Sequence, residues 1–406
     1  MIKKYLLKHK NNEVLEFEMD EEKYILLGVN NIINKERLPF SLVYKENMAH
    51  CIVQLDTWIK GRGLTESRKD LNEIKKLFKT NEKNELIVKS YGLNVTDHFW
   101  LHEKDKNVKW ENVNYFDNLF DEIKVGNNVD FSIDNEVKTP SPNFCVDGSI
   151  VKRWIINEKG ERVLLKGSRY GIMQEPFNEL IASKIMDEFK IKHVSYKLKR
   201  TKDNIPYSEC KTMSDQDHEY INANWVIGLE DYGLKDIYDH YIEICKRYGI
   251  NDVKERVDEM IAIDFIIGND DRHRGNFGIL RNANNLEWVE VAKIFDNGNS
   301  LFFDKSDYDI ENFGIDSLGK SFGDSNRLQL DVIDYPQWYN NSAKNRITDI
   351  MGCCLNYNER LSSKRKDKII KVVEERLNIF ENKIKSKIKK STPGINYNNN
   401  TKIATR

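Results

Sequence analysis

One stretch constrains this chain above all others. Residues 262–278, AIDFIIGNDDRHRGNFG, pass from an apolar, helix-spaced run into a polar loop. Residues 292–298, AKIFDNG, make the same passage from an apolar strand. Both set polar groups at the edge of a rigid core, where reactive sites are normally built. Asp271 and Asn276 are five residues apart, and Asp296 follows Asn276 by 20. Such a trio is what metal-assisted phosphoryl transfer needs. One carboxylate accepts or orients the proton of an attacking hydroxyl, while an amide oxygen and a second carboxylate hold Mg²⁺ against phosphates. Each piece alone also reads as a capped surface turn. Their order and their apolar flanks favour the site.

At 406 residues the chain exceeds the usual size of one hydrophobic core, so two or three domains are expected. Lys+Arg 64 against Asp+Glu 65 excludes a chain that is basic or acidic throughout. The charge is unevenly spread: residues 361–406 carry 13 basic and 4 acidic residues, a local +9 that leaves −10 on the remainder. A basic end of this kind suits nucleic acid, acidic lipid or a solvated helix face with a disordered tail. The six cysteines include no CxxC pair, which excludes a zinc ribbon and a thioredoxin-type site. Cys353 and Cys354, adjacent within IMGCCL, read as buried reduced thiols. No apolar run reaches the ~18 residues of a membrane helix, and the basic N-terminus lacks a signal-peptide core. A cytoplasmic location without integral membrane contact is expected.

Residues 1–130 read as an accessory domain of mixed, mainly helical character. LDTWIKGRGLTESRKDLNEIKKLF suggests two helices around a Gly-Arg-Gly turn, VTDHFWLH (95–102) a short strand and FDNLFDEI (116–123) a helix. The pair at 55–78 fits a helix-turn-helix reader, or simply two helices packed on a neighbour, which we prefer. The polar, proline-bearing stretch 125–143 marks a boundary. Beyond it, 131–215 reads as a β-rich lobe: strands at 151–156 and 161–167 around an NEKG turn, an amphipathic helix in PFNELIASKIMDEF, then β-rich stretches at 193–200 and 205–213. Residues 216–390 read as mostly helical, and 391–406 as a disordered tail.

Lys166 ends the strand VLLKG, where an ammonium could meet a phosphate if a carboxylate orients it. Glu175 and Glu179, four apart on one helix face, are both candidates for that carboxylate. In DGSIVKRW (147–154), Gly148 allows backbone N–H groups to approach an anion. His273 sits within the DRHRGN loop, as general base or as a hydrogen-bonding brace, and Arg272 and Arg274 flank it. The other seven histidines show no metal-ligand spacing.

Over about residues 143–355 the motifs NDDRHRGN, IFDNG, VLLKG and DGSIVKRW together resemble the HipA-like serine/threonine kinases. The DRHxxN loop is also similar to that of phosphoinositide 3/4-kinases. The resemblance implies an α+β, two-lobed, protein-kinase-like fold, with a β-rich small lobe and a helical large lobe. It implies transfer of the γ-phosphate of ATP, with Mg²⁺, to a Ser or Thr hydroxyl of a protein substrate. By carry-over, Asp271 is the catalytic base, with His273 beside it. Asn276 and Asp296 are metal ligands. Gly148, Ser149, Lys152 and Lys166 bind nucleotide, and Glu179 is the orienting acid. The adenine is expected near residues 207–216. Where these kinases often carry an autophosphorylated Ser or Thr, three residues before the loop glycine, this chain has Cys145. An antitoxin or DNA-binding partner in a toxin–antitoxin role is implied at family level. The alternatives are a phosphoinositide-type lipid kinase and a catalytically weak ATP-binding or DNA-associated regulator.

Overall fold

The structure, a computed structural model, describes residues 1–42, 48–63, 83–120, 142, 152–169, 171–323, 325–334, 336–340 and 342–391. Its first strands are β1 (Ile2–His9), β2 (Asn12–Asp20), β3 (Ile25–Ile32) and, later in the chain, β4 (Phe99–Glu103). They form one antiparallel sheet in the order β3-β2-β1-β4. Helices α1 (Met48–Gly61) and α2 (Lys83–Lys89) belong with it, and α1 packs Leu55 and Ile59 against Tyr5, Leu15 and Phe17. This corrects the mainly helical reading of the region. Only β4 overlaps the strand expected at 95–102. Of the helix expected at 116–123, residues 116–120 form a turn and an irregular stretch, and the rest lie outside the described residues. The second helix of the 55–78 pair and, save residue 142, the 125–143 boundary lie outside them too.

A second sheet follows, with β5 (Lys152–Ile156), β6 (Arg162–Lys166), β7 (Tyr196–Arg200) and β8 (Pro206–Lys211) in the order β5-β6-β8-β7. Lys152 and Lys166 are direct partners across β5 and β6. Directly opposed residues share a face, so both ammonium groups project to one side of this sheet. Helix α3 (Glu175–Glu188) crosses beneath. Pro176 suits its first turn, and Phe177, Ile181 and Ile185 are buried along it.

The rest is helical around one core, as expected, but with a small sheet of its own. That sheet joins β9 (His218–Asn222), β10 (Gly278–Asn282) and β11 (Trp288–Val291). Around it lie α4 (Ala223–Ile227), α5 (Ile237–Arg247), α6 (Val253–Ile267), α7 (Asp307–Phe313), α8 (Asn326–Gln329), α9 (Ala343–Asn356) and α10 (Ser363–Ser391). Val373, Leu377, Phe380 and Ile384 of α10 are buried in this core. Helix α6 is buried along most of its length and apolar from Met260 to Ile267 except at Asp264, as befits the central helix of a large lobe. It stops at Gly268, whose φ of +63° is the left-handed cap that favours glycine. A side chain there would also press on Phe302.

The N-terminal sheet docks on both other parts. Trp100 and Trp110 share a core with Trp154 of β5, and the Tyr220 N–H of β9 donates to the Thr96 carbonyl. At the same seam lies a buried polar knot. His9 bonds Glu219 through Nε2 at 3.0 Å, and the other Glu219 oxygen takes the Arg281 guanidinium at 2.6–2.8 Å. Arg37 donates to His9 Nδ1. His98 Nδ1 lies 3.5 Å from Glu219. Two of the histidines that show no metal-ligand spacing in sequence thus meet one carboxylate in space. The two guanidinium groups complete this knot as an ion-paired lock between sheets. Cys354 is buried as expected, whereas Cys353 is exposed on the outer face of α9. No helix among the described residues is long and apolar enough to cross a membrane.

Candidate active site

The two sheets and α6 meet around a cleft of about 450 Å³. Its polar wall assembles Lys152, Lys166, Asp271, His273, Asn276 and Asp296 from sequence positions up to 144 residues apart.

Lys166 is the hub. Its Nζ lies against Glu179 and 2.5 Å from Asp296 Oδ1, and its side chain is almost fully buried. The ring of Tyr196 lies 5.7 Å from the ammonium. Burial disfavours the charge, but Asp296 and Glu179 outweigh it and hold Lys166 above its ordinary range. Burial likewise opposes the charge on Asp296. The ammonium groups of Lys166 and Lys152 prevail and hold that carboxyl below its ordinary range. The lock extends into the backbone, because the Asn297 N–H donates to the second Glu179 oxygen at 2.8 Å.

Helix geometry left Glu175 and Glu179 equivalent; the tertiary structure separates them. Glu179 faces Lys166. Glu175 accepts from the Ser168 hydroxyl and, at 2.9 Å, from the Arg169 N–H, so it braces the turn after β6. Both carboxylates are buried.

The loop after α6 is held by Arg272, which is fully buried. Its guanidinium pairs with Asp264 at 2.9 and 3.1 Å, donates to the carbonyls of Asn276 and Phe295, and reaches Asn297 Oδ1 at 2.5 Å. Arg272 thus pairs with a local acid and spends its remaining donors inside the loop. His273 braces the loop as well, since its Nδ1 accepts the Gly275 N–H at 3.0 Å. That bond gives His273 a bracing role in the loop.

Asp271 projects into the cleft, with Asn299 Nδ2 2.5 Å from one oxygen and Lys320 Nζ 2.6 Å from the other. Its neighbour Asp270 points elsewhere, toward Lys305 at 3.4 Å. Asn276 donates its amide N–H to the Asp271 carbonyl at 3.3 Å, which turns its oxygen into an available acceptor. Asp296 sits at a φ of +57°, a strained setting for a non-glycine residue that clusters at functional sites. Its N–H donates to the Tyr196 hydroxyl at 3.1 Å. It follows a lone bridge at Ile294 rather than the expected apolar strand.

Gly148 and Ser149 lie outside the described residues, as does Cys145. The sequence reading missed several residues of the cleft. Asn94, Val95 and Thr96 reach it from the N-terminal region, and Tyr196, Asn299 and Lys320 touch the polar groups. The asparagine-rich run after Asp296 was a visible signal for Asn299. Nothing local marks the others. At the far end of the cleft, Cys210, Thr212, Met213 and Ser214 form the wall, and burial pushes the Cys210 thiol up to about 12.

Chemically, this cleft offers a buried cation oriented by one carboxylate, a second carboxylate and an amide oxygen able to take a hard cation, and a third carboxylate set apart from both.

No protein-family model matches the chain. It is 30% identical over 141 residues to the serine/threonine-protein kinase CtkA of Helicobacter pylori, a stretch that is 31% of this chain and 40% of that protein. The chain thus spans less than half the length of that curated relative. Among solved structures it resembles HipA of Shewanella oneidensis, seen with HipB and its operator DNA, with a TM-score of 0.51 at 11% identity over 94% of this chain and 99% of the other. The crystal structure of CtkA aligns with a TM-score of 0.46 at 20% identity over 59% of this chain and 95% of the other. The likeness to HipA-like kinases read from the motifs stands in fold: the chain has a two-lobed, kinase-like α+β fold.

Proposed function

We propose that this chain is a HipA-like kinase that transfers the γ-phosphate of ATP to a serine or threonine hydroxyl of a protein. The observation that carries the reading is Lys166, held between Glu179 and Asp296 in the same cleft as Asp271. A cation so oriented suits the α- and β-phosphates. The adenine end of ATP then falls against residues 210–214 and Val95, and Lys152 flanks the phosphates.

Asn276 and Asp296 fit Mg²⁺ as a donor set. Both supply hard oxygen atoms. Lys166 occupies Asp296 Oδ1 and leaves Oδ2 free of that contact, while Asn276 spends only its N–H group within the loop. Mg²⁺ bound there would neutralise phosphate charge. Asp271 accepts the proton of the acceptor hydroxyl. The acceptor oxygen bonds to the γ-phosphorus, the bond from that phosphorus to the β,γ-bridging oxygen breaks, and ADP leaves with the electron pair. Positioning and charge stabilisation supply most of the rate in such transfers. HipA was solved with HipB and operator DNA. A DNA-binding antitoxin is accordingly the partner class we assign here, in a growth-regulating, toxin-type role.

Incubation of the purified chain with γ-labelled ATP and Mg²⁺, alone and with cell extract, tests the reading. Label on seryl or threonyl residues supports it. Label confined to inositol lipids, or no ADP formed at all, overturns it.

A further inference from the structure

The loop that carries Asp271 also contains two arginines and a histidine, yet none of them places a cation on that carboxylate. Arg272 is consumed by Asp264 and by buried carbonyls. Arg274 turns away and donates through Nε to the Ser321 carbonyl. His273 accepts a backbone N–H. Lys166 is committed to Glu179 and Asp296. The ammonium at Asp271 comes instead from Lys320, 49 residues downstream, with Nζ 2.6 Å from Oδ1.

The backbone around Lys320 is not loosely placed. The Ser321 carbonyl takes the Arg274 bond at 3.1 Å, and the Ser321 hydroxyl donates to Gln329 at 2.6 Å. Asn326 donates to the Asn269 carbonyl at 2.6 Å, which ties the segment to the start of the Asp271 loop. Phe322 packs against Phe277, Tyr238 and Tyr241. Leu318 and Ser325 form an antiparallel bridge across the turn. The segment is thus fastened to the loop it serves, whereas the Lys320 side chain remains 43% exposed. A fixed backbone with a free four-carbon stem sets a cation at a chosen place and still lets it move by an ångström or two.

We propose that Lys320 is the acceptor-side cation of the transfer reaction. Before reaction it orients the Asp271 carboxylate. During transfer it bonds a peripheral oxygen of the moving phosphoryl group, where charge accumulates. It stays protonated throughout, and the hydroxyl proton passes to Asp271 as described above. The inference rests on the kinase reading of the cleft. It adds a cation on the acceptor side of the phosphates, separate from Lys166 and Lys152.

The test compares the full chain with Lys320→Met, Lys320→Gln and Lys320→Arg, using ADP formation from Mg²⁺–ATP with the chain itself and casein as acceptors. Thermal melts with and without Mg²⁺–ATP are run in parallel. Removal of one such stabilising group typically costs about 10²-fold in rate. Lys320→Met is therefore expected to lower kcat by about 10- to 100-fold while KM for ATP and the Mg²⁺–ATP thermal shift hold within about twofold. Lys320→Arg should recover most of the loss. Lys320→Gln keeps the test sharp if the methionine variant folds poorly. A kcat within about twofold of wild type in the Met and Gln variants overturns the proposal and leaves the kinase reading standing. Loss of the thermal shift in step with activity also overturns it, because Lys320 would then be supporting the ATP site or the fold. A wild-type chain that forms no ADP overturns both.

Discussion

Lys166 and Asp296 lie 130 residues apart in sequence, yet Nζ and Oδ1 are 2.5 Å apart. This contact joins the second sheet to the segment that follows the small sheet of the large lobe. Glu179 lies on the other side of the same ammonium, so one cation serves a fully buried acid and a second acid that opens on the cleft. Removing it leaves Glu179 in the core without its counter-charge, which makes the site costly to break.

Lys166→Ala should therefore do two things. It should abolish ATP use, and it should destabilise the fold by about 3–5 kcal/mol, the usual cost of stranding a buried charge. Adding Glu179→Gln should restore much of the stability and none of the activity. Urea unfolding of the single and double variants, together with ADP formation, checks both. A single variant as stable as wild type would contradict the buried ion pair.

Asp296→Asn should shrink the thermal stabilisation by Mg²⁺–ATP. Ligand stabilisation follows RT ln(1 + [L]/Kd), so each tenfold loss of affinity removes about 1.4 kcal/mol at saturating ligand. Melts at fixed ATP with and without Mg²⁺ measure this. Equal shifts in wild type and variant would remove Asp296 from the metal set.

Of the adjacent aspartates, only Asp271 faces the cleft; Asp270 pairs with Lys305. Asp271→Asn should lower transfer by about 10²–10⁴-fold, the typical worth of a positioned base, with ATP binding largely kept. Asp270→Asn should retain most activity. The reverse pattern would overturn the assignment of the base.

Acid should loosen the seam between the N-terminal sheet and β9. Burial lowers the pKa of His9 below its ordinary 6.5. The unfolded chain then takes up that proton as pH falls through 6.5, while the folded chain does not, and stability is lost. Burial opposes ionisation of Glu219, but His9 and Arg281 hold it well below its ordinary 4.5. Its contribution is present above 4.5 and is lost as pH falls further toward the folded value. Both signs agree, so the melting temperature should drop from pH 7 to 5.5 and more steeply below 4.5. Glu219→Gln should melt lower at pH 7, because Arg281 loses its buried counter-charge, and should show a flatter profile below 4.5. An unchanged acid profile in that variant would assign the acid sensitivity elsewhere.

Local sequence determined those features that a few consecutive residues decide. The apolar run of α6 ending at Gly268 predicted the helix and its stop, and the NEKG turn between β-prone runs predicted the β5–β6 hairpin. The spacing of Asp271 and Asn276 singled out one loop as the candidate site, and that loop does line the cleft. Other features needed the packed chain. The strands β1 and β2 show runs of buried residues rather than clean alternation, so a period of two could not reveal that sheet. Glu175 and Glu179 share a helix face, and only the approach of β6 and the Asp296 segment decided which one meets Lys166. His9, His98 and Glu219 come from distant positions, as do Lys320 and the Asp271 it touches. Spacing carries no information about such pairs, because contacts between distant segments are set by how sheets and helices bury their apolar faces. The candidate groups were thus readable in the sequence, whereas their partners were chosen by the core that brings the two lobes together.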